Sequence, residues 1–453
     1  MSLKTEPSPW RDSRFRVFAA GNLANNLGEG MYGFALPLLV LSYTGSLATM
    51  ALLVAVSPLV ITIAGPFLGH VVDRYGSRVL VVPGLLLQLC ASLALNFALL
   101  GGPAPVWSLY VAEALVQIGA VSYRAGWLAG IPAMFPDSTG RSRGSLTVLF
   151  QTSLILGPAL ASLLVGPLGY TGLLWLNSAT FLAPLVVWFL GVNPVAGQKR
   201  YRSAPVSFAE SLRAGLRIFS RGEKMGTLLL LMVPASFTFS TGTTALFVFL
   251  ARDVLDASPS SIGVALAVAN VGGLTGALIT AEIPRWKIRT VTVLGLASAG
   301  GGLLLIASGV GLVAATAALT LFFICENVIA VATEMEMFSS VPPELIGRAT
   351  GMWRLATGLP TAAAPSVIAF LGGFLGPRAI FVVLAVVAVV PLAWLLSHRS
   401  ALRYENPDTG APAGPAAPDA PGDGSPGTAR EVSPRDGSPA GSFTEHPDAS
   451  GRG

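Results

Sequence analysis

The stretch Asn22-Leu-Ala-Asn25-Asn26-Leu-Gly28-Glu29-Gly30 lies inside the first long apolar run of the chain, residues 15–41. Asn22, Asn26 and Glu29 are spaced i, i+4 and i+7, so they share one face of a helix. At membrane depth an ionised carboxylate costs a few kcal/mol, and lipid cannot satisfy a polar stripe. We therefore expect this face to line a central cavity that the other helices build.

The composition is typical of an integral membrane protein. Of the 453 residues, 53% are hydrophobic and only 11% are charged, and the mean hydropathy is +0.67. A soluble domain has about 25% charged residues. Cys90 and Cys325 lie inside apolar runs, and the three histidines share no ligand spacing. We expect no disulfide framework, no metal site and no cofactor, and the polar N-terminus predicts no cleavable signal peptide.

Twelve apolar runs are each long enough to cross a hydrocarbon core about 30 Å thick. Six of them lie at 15–41, 47–69, 79–100, 104–130, 145–167 and 171–191. Six more follow a polar gap, at 226–250, 260–281, 290–309, 311–338, 348–374 and 377–397. The expected fold is an all-α integral membrane protein with twelve transmembrane helices in two six-helix bundles.

Lys and Arg distinguish the two sides of the membrane. They cluster before the first span and after the even-numbered spans, whereas the opposite side offers only Arg252 and Arg378. By the positive-inside rule, both termini are cytoplasmic. The expected segments are a cytoplasmic N-terminus (1–14), an N-terminal bundle (15–191), a cytoplasmic middle loop with an amphipathic helix (192–224), a C-terminal bundle (225–399) and a disordered cytoplasmic tail (400–453).

The two sets of six spans are duplicates. Pro136-Asp137-x-x-Gly140-Arg141-x-x-Gly144 recurs as Pro343-Glu344-x-x-Gly347-Arg348-x-x-Gly351, an offset of 207 residues, and the same offset carries Pro158 onto Pro365. Because six is an even number, both copies insert with the same orientation. Parallel repeats with a site at their interface are a transporter architecture.

At this point the chain resembles the major facilitator superfamily, over residues 12–400. The segment after the second span, Gly69-His-Val-Val-Asp73-Arg74-Tyr-Gly76-Ser-Arg78, is close to the G-x-x-x-D-R-x-G-x-R signature of that family. Gly157-Pro158 in the fifth span is similar to an element of antiporter branches, with Ala161-Ser162 in place of two glycines. Such a pair supports exchange, because proline removes a backbone hydrogen bond and glycine permits close packing.

Shorter matches resemble the macrolide-efflux and siderophore-exporter branch of the superfamily. They are Asn26-Leu-Gly28-Glu29-Gly30, Leu36-Pro37-Leu38, Arg124-Ala125 and Leu176-Asn177-Ser-Ala-Thr-Phe181. The members of this branch differ in substrate, so the matches indicate export without naming the compound.

The resemblance implies a gating role for the segment after the second span. The residues concerned are Gly69, Asp73, Arg74, Gly76 and Arg78. In one conformation they would clasp the other half of the protein near the start of the eleventh span at Gly347, and the two glycines would allow close approach and a tight turn. A solvated turn is the plainer alternative. The second-half copy has Thr280-Ala281 where Asp73-Arg74 would fall, so a clasp on that side is degraded.

The resemblance also places spans one, four, seven and ten around the central cavity. These spans contain Glu29, Glu113 and Glu326 near the middle of the membrane. A carboxylate deprived of water is protonated more readily, so it can hold a proton and release it when a cationic ligand arrives. The alternative for each is a permanently neutral helix contact. The other predicted cavity residues are Asn22, Asn26, Gln117 and Ser236, the last at the offset of Glu29.

Other charged residues predict ion pairs. Arg124, near the cytoplasmic end of the fourth span, either extends to the membrane interface or pairs with an acid. In the tenth span, Glu334 and Glu336 lie about 200° apart around the helix, so they cannot both face one cavity. We expect one of them to pair with Arg348 or Arg354.

These features predict a proton-coupled exporter of amphipathic, weakly cationic compounds such as antibiotics, a monomer that works by alternating access in the cell membrane. Its partners would be protons, a small-molecule substrate and lipid, and not nucleic acid. A nutrient importer of the same fold is an alternative, although more aromatic and polar residues would be expected in its cavity. A non-transporting receptor or scaffold is a third hypothesis, and it would tolerate Glu29→Gln. An enzyme is not expected, because no nucleophile–base pair appears.

Overall fold

The helices account for nearly all of the described chain. The computed structural model describes residues 6–192, 217, 219, 223–281, 288–341 and 346–398, and these contain no β-strand. The helices are α1 Ser13–Thr44, α2 Leu47–Tyr75, α3 Arg78–Leu99, α4 Val106–Met134, α5 Thr139–Thr180, α6 Leu182–Phe189, α7 Glu223–Thr238, α8 Thr241–Phe249, α9 Pro259–Ala281, α10 Ile288–Ala307, α11 Leu312–Ser339, α12 Ile346–Gly372 and α13 Pro377–Ser397. A π-helical turn, Leu250–Val254, continues α8.

Ten described helical stretches are long and apolar enough to cross a membrane. One of them, Pro136–Phe189, has 54 residues and is interrupted at Gly169, where φ is 66° and ψ is 177°. At about 1.5 Å per residue this stretch is long enough for two crossings. Helix α1 has 32 residues but falls outside the ten, because polar and glycine residues dilute its apolar ones. With α1 and both parts of the long stretch, the described helices agree with the twelve predicted spans.

The two halves repeat the same helix pairings. In the first half α1 packs on α5, and α4 packs on both α2 and α3. In the second half α7 and α8 pack on α12, and α11 packs on both α9 and α10. These are the pairings that a duplication of six spans produces, so the packing agrees with the repeat read from the sequence.

Helices α1 and α5 cross at two glycines. A Cβ atom on Gly157 would lie 2.7 Å from the Gly30 Cα atom, so the two backbones touch without room for a side chain. Pro158 follows directly and lines the cavity described below. Because Gly30 is the neighbour of Glu29, this crossing fixes the depth at which the Glu29 carboxylate lies.

The halves meet through α2 against α12 and α5 against α9. Ser260 donates a hydrogen bond to the Ser162 carbonyl oxygen at 3.0 Å, and Arg252 donates to the Leu38 carbonyl oxygen at 3.1 Å. Both bonds lie at helix ends that the charge distribution predicts to be extracellular. Which side is cytoplasmic stays a prediction, as do the segment boundaries.

Two predicted segments lie outside the described residues. They are the tail at 400–453 and most of the middle loop at 192–224, of which Arg217 and Phe219 are isolated described positions. At the other end of the chain, Asp12 caps α1 by accepting a hydrogen bond from the Arg14 backbone N–H at 2.8 Å.

Candidate functional site

A cavity with two lobes lies between the halves. One lobe, of about 510 Å³, is lined by Glu29, Glu113 and Arg124, and we call it the Glu29 lobe. The other, of about 450 Å³, is lined by Glu326 and Asn327, and we call it the Glu326 lobe. Both volumes fall within the roughly 300–1,000 Å³ common for small-molecule sites. The lobes share lining residues from α1, α2, α5, α8 and α9, so they form one continuous space.

The cavity is closed on one side. Leu36 and Leu53 line the Glu29 lobe toward the predicted extracellular side, and each is 1% exposed. The Arg124 side chain, toward the other end, is 41% exposed. The gradient of exposure indicates a cavity that opens toward the predicted cytoplasmic side.

Glu29 is held by two partners from the protein. The Arg124 Nη2 atom lies 3.5 Å from the Glu29 Oε2 atom, and Asn25 donates a hydrogen bond to Glu29 Oε1 at 2.7 Å. The Arg124 guanidinium also lies 4.5 Å from the centre of the Phe150 ring. Of the two alternatives for Arg124, the structure shows the pair with an acid.

Glu113 is buried more deeply than Glu29. It is 6% exposed, and Gln117 donates a hydrogen bond to its Oε1 atom at 2.9 Å. The Tyr32 hydroxyl faces the carboxylate from α1. Within the described residues, neither that hydroxyl nor Glu113 Oε2 has a hydrogen-bond partner in good geometry. A small shift of either side chain would let Tyr32 donate to Glu113.

Glu326 is different from both. In the described part of the chain it has no hydrogen-bond or ion-pair partner, although it lies near the middle of a membrane span. Asn270 and Asn327 line the same lobe, and each donates its amide to a carbonyl of its own helix, Leu266 at 2.9 Å and Phe323 at 3.1 Å. The side-chain oxygens of the two asparagines therefore remain available as acceptors.

Two residues predicted for the cavity lie elsewhere. Asn22 is 2% exposed and accepts a hydrogen bond from the Tyr123 hydroxyl at 3.3 Å, between α1 and α4. Ser236 is buried against α12, where its carbonyl oxygen accepts from Thr361 at 3.2 Å. Asn26 and Gln117 do line the Glu29 lobe.

The position of Ser236 has a structural cause. The seventh span is interrupted, because α7 ends at Thr238 and α8 begins at Thr241, with Ser240 extended between them (φ −94°, ψ 162°). Ser236 lies before this break, on the part of the span that packs on α12, so it does not reach the position that Glu29 has in the first half. After the break the offset holds, because Thr241 and Thr244 of α8 correspond to Phe34 and Pro37 of α1, and all four line both lobes.

The predicted gating segment is mostly helical rather than a loop. Helix α2 continues through Tyr75, and Gly76 ends it with φ 88° and an N–H donated to the Val72 carbonyl oxygen at 2.7 Å. Gly76 therefore makes the expected tight turn. A Cβ atom on Gly69 would meet nothing within 4 Å, so in this conformation no backbone approaches Gly69 closely, and its role in a clasp stays a prediction.

The charged residues of this segment are seen in part. Arg74 is exposed and lies 5.4 Å from the centre of the Tyr75 ring, and Arg78 is exposed at the start of α3. The side chain of Asp73 lies outside the described residues. The clasp onto the second half stays a prediction.

The structure does not test the ion pair predicted for the acids of the tenth span. Glu334 is half-buried and Glu336 is buried, both on α11. Arg354 is exposed on α12, and the side chain of Arg348 lies outside the described residues. A pair between one of these acids and one of these arginines stays a prediction.

Comparison with known proteins decides the family. The profile of the Major Facilitator Superfamily matches residues 18–339. The chain belongs to this superfamily. It is therefore a multi-pass membrane transporter of small molecules rather than an enzyme, and the predicted resemblance and all-α membrane fold are confirmed.

Similar proteins include exporters. The chain is 26% identical over 286 residues to the multidrug efflux pump Tap of Mycolicibacterium fortuitum, covering 61% of this chain and 68% of the relative. It is 20% identical over 282 residues to the macrolide efflux protein A of Streptococcus pyogenes, covering 62% and 69%. The solved nucleoside transporter NupG aligns with a TM-score of 0.68 at 12% identity, over 84% of this chain and 99% of that one. At this identity the structural likeness shows the fold alone.

Several residues of the site carry only a weak signal in the sequence. Asn25 carried a signal, because it precedes Glu29 by four residues and so shares its helix face. Tyr32 follows Glu29 by three residues and has the same signal. Asn327 directly follows Glu326, but consecutive helical residues point about 100° apart, and Asn270 lies on another span, so the spacing does not predict a shared site.

Proposed function

We propose that this protein is a proton-coupled exporter of amphipathic, weakly cationic compounds and acts as an antiporter. The observation that carries the proposal is the cavity between the halves, in which Glu29, Glu113 and Glu326 lie among mixed polar and apolar walls, and Arg124 is the one basic residue among its described lining residues. Acidic residues inside a membrane protein mark ion or substrate pathways, because their burial is otherwise unfavourable. The similarity to Tap and macrolide efflux protein A supports export as the direction.

Exchange follows from competition for the carboxylates. When a cationic compound enters from the cytoplasmic side, it favours the ionised carboxylates and so promotes release of their protons. After the cavity opens to the outside, protons from the more acidic side bind again and displace the compound. A cation in the cavity and a proton on one of its carboxylates therefore disfavour each other, and this coupling links the two movements.

The ion pair between Glu29 and Arg124 can link protonation to a change in helix packing. Protonation of Glu29 removes the charge that holds Arg124 at 3.5 Å, while the Asn25 hydrogen bond can remain. Arg124 connects α4 with α1, so loss of the pair loosens one helix contact within the first half. Alternating access would then occur by rocking of the halves about the α2–α12 and α5–α9 contacts.

The test is transport into everted membrane vesicles with an imposed pH gradient, acidic inside. Labelled erythromycin, tetracycline and ethidium would serve as probes, and collapse of the gradient with nigericin as the control. Wild type is expected to accumulate at least one probe only while the gradient lasts, and Glu29→Gln and Glu113→Gln are expected to lose accumulation. Accumulation that persists after the gradient is collapsed, or full activity in both variants, would contradict proton exchange.

A further inference from the structure

We propose that the Glu326 lobe is the subsite that recognises the positive charge of the substrate, a protonated or quaternary ammonium or similar organic monocation on an apolar body. This inference rests on the proposed function, because it names the substrate class of the same cavity. It assigns cation recognition to the second half of the protein and leaves proton exchange to the first.

The three carboxylates differ in what a cation must displace. A cation that approached Glu29 would compete with Arg124 and Asn25, and one that approached Glu113 would compete with Gln117. At Glu326 it would displace no described protein partner. Since a buried charge without a partner is unfavourable, the gain from supplying an opposite charge is greatest where none is present.

The walls of the lobe favour a cation. The side-chain oxygens of Asn270 and Asn327 remain acceptors because both amides donate to their own helices. Ser240 lines the lobe and is 4% exposed as a residue, and its hydroxyl is buried without a hydrogen-bond partner within the described residues. None of the described residues that line this lobe is Lys, Arg or His. A carboxylate, two amide oxygens and a hydroxyl thus surround one space without a competing positive charge.

Aromatic rings complete the subsite. Phe239 and Phe323 line the lobe, and the Phe239 ring packs on Phe322 with 4.9 Å between ring centres. The faces of aromatic rings attract organic cations and also accept apolar groups. Because the lobe continues into the Glu29 lobe, a longer apolar body can extend toward the first half while its charge stays at Glu326.

The inference is tested by binding, which needs no gradient. The probes are tetraphenylphosphonium, an apolar monocation, and triphenylphosphine oxide, a neutral compound with similar rings, measured by equilibrium dialysis on the purified full-length protein in lipid nanodiscs. The variants are Glu326→Gln, Glu326→Asp and Glu334→Gln. Glu334 is a matched control, since the substitution removes the same charge from the same helix without touching a residue that lines the lobes.

Wild type is expected to prefer the cation. Glu326→Gln should weaken cation binding roughly tenfold, about 1.4 kcal/mol, and change binding of the neutral compound by less than about twofold. Glu326→Asp should retain the preference, which also shows that the site tolerates substitution, and Glu334→Gln should behave like wild type. The inference is overturned if wild type does not prefer the cation, if Glu326→Gln weakens both probes equally, or if Glu334→Gln has the same effect.

Failure of the proposed function would look different. Wild-type protein that binds the cation through Glu326 but shows no gradient-driven accumulation in vesicles contradicts proton-coupled export and leaves the subsite standing. Gradient-driven export in wild type together with unchanged cation binding in Glu326→Gln contradicts the subsite and leaves the export proposal standing.

Discussion

The two lobes of the cavity differ in whether their carboxylates have hydrogen-bond or ion-pair partners. In the Glu29 lobe each acid has partners from the protein, Arg124 and Asn25 for Glu29 and Gln117 for Glu113. In the Glu326 lobe the acid has none among the described residues. The two halves share one fold but differ in the partners of their carboxylates. This difference fits an exchange of protons for a cationic substrate. Protonation of an acid beside an arginine breaks the ion pair between them. An acid without a described partner can instead pair with a cationic ligand.

The largest expected effect separates coupling from binding. Glu29→Gln should lower pH-gradient-driven accumulation in everted vesicles roughly 100-fold, because an amide cannot carry a proton. The same variant should change tetraphenylphosphonium binding by less than about threefold, since the cation subsite lies at Glu326. If Glu29→Gln and Glu326→Gln have the same effects in both assays, the lobes do not differ in role.

The next effect concerns the crossing that supports the Glu29 lobe. Gly157→Ala would bring a Cβ atom within 2.7 Å of the Gly30 Cα atom, so α1 and α5 must move apart. We expect a loss of about 2 kcal/mol in the free energy of unfolding, measured by thermal unfolding in detergent. Gly144→Ala in the same helix is the control, because its Cβ atom meets nothing within 4 Å. Equal stability of the two variants would mean that the crossing is not tight.

A smaller effect on transport is expected when Glu29 loses its arginine and so becomes more like Glu326. Arg124→Met removes the ion pair while it keeps an apolar stem against Phe150. We expect roughly tenfold weaker coupling, because protonation of Glu29 no longer releases a partner. Arg124→Lys should keep most of the coupling. An Arg124→Met variant with wild-type transport would show that the pair has no part in the switch.

The smallest effect concerns the hydroxyl that faces Glu113. Tyr32→Phe removes a buried hydroxyl without changing the ring, so the fold should be kept. We expect about threefold slower gradient-driven transport, because ionised Glu113 loses a nearby donor. The pH profile of transport distinguishes this from a packing effect, since a packing defect would lower the rate equally at every pH.

The sequence identified the acidic residues of the candidate site, but it did not identify which side chains contact each of them. Glu29, Glu113 and Glu326 were recognisable because a carboxylate in a long apolar run has few explanations. Asn22 was assigned to the cavity by spacing, yet it contacts Tyr123, because the face of α1 that carries it turns toward α4. Ser236 was assigned by the repeat offset, but it lies before the break between α7 and α8, on the part of the span that packs on α12.

The sequence by itself determined the membrane character, the two-half repeat and the family, because these depend on local composition, on periodicity and on motifs within one segment. Only the tertiary structure decided which acid has a partner, because Arg124 and Glu29 come from different helices and meet through packing. A helix turns about 100° per residue, so small changes in bounds or a single break redirect a side chain entirely. The difference between Glu29, paired across two helices, and Glu326, left open, therefore exists only in the folded protein.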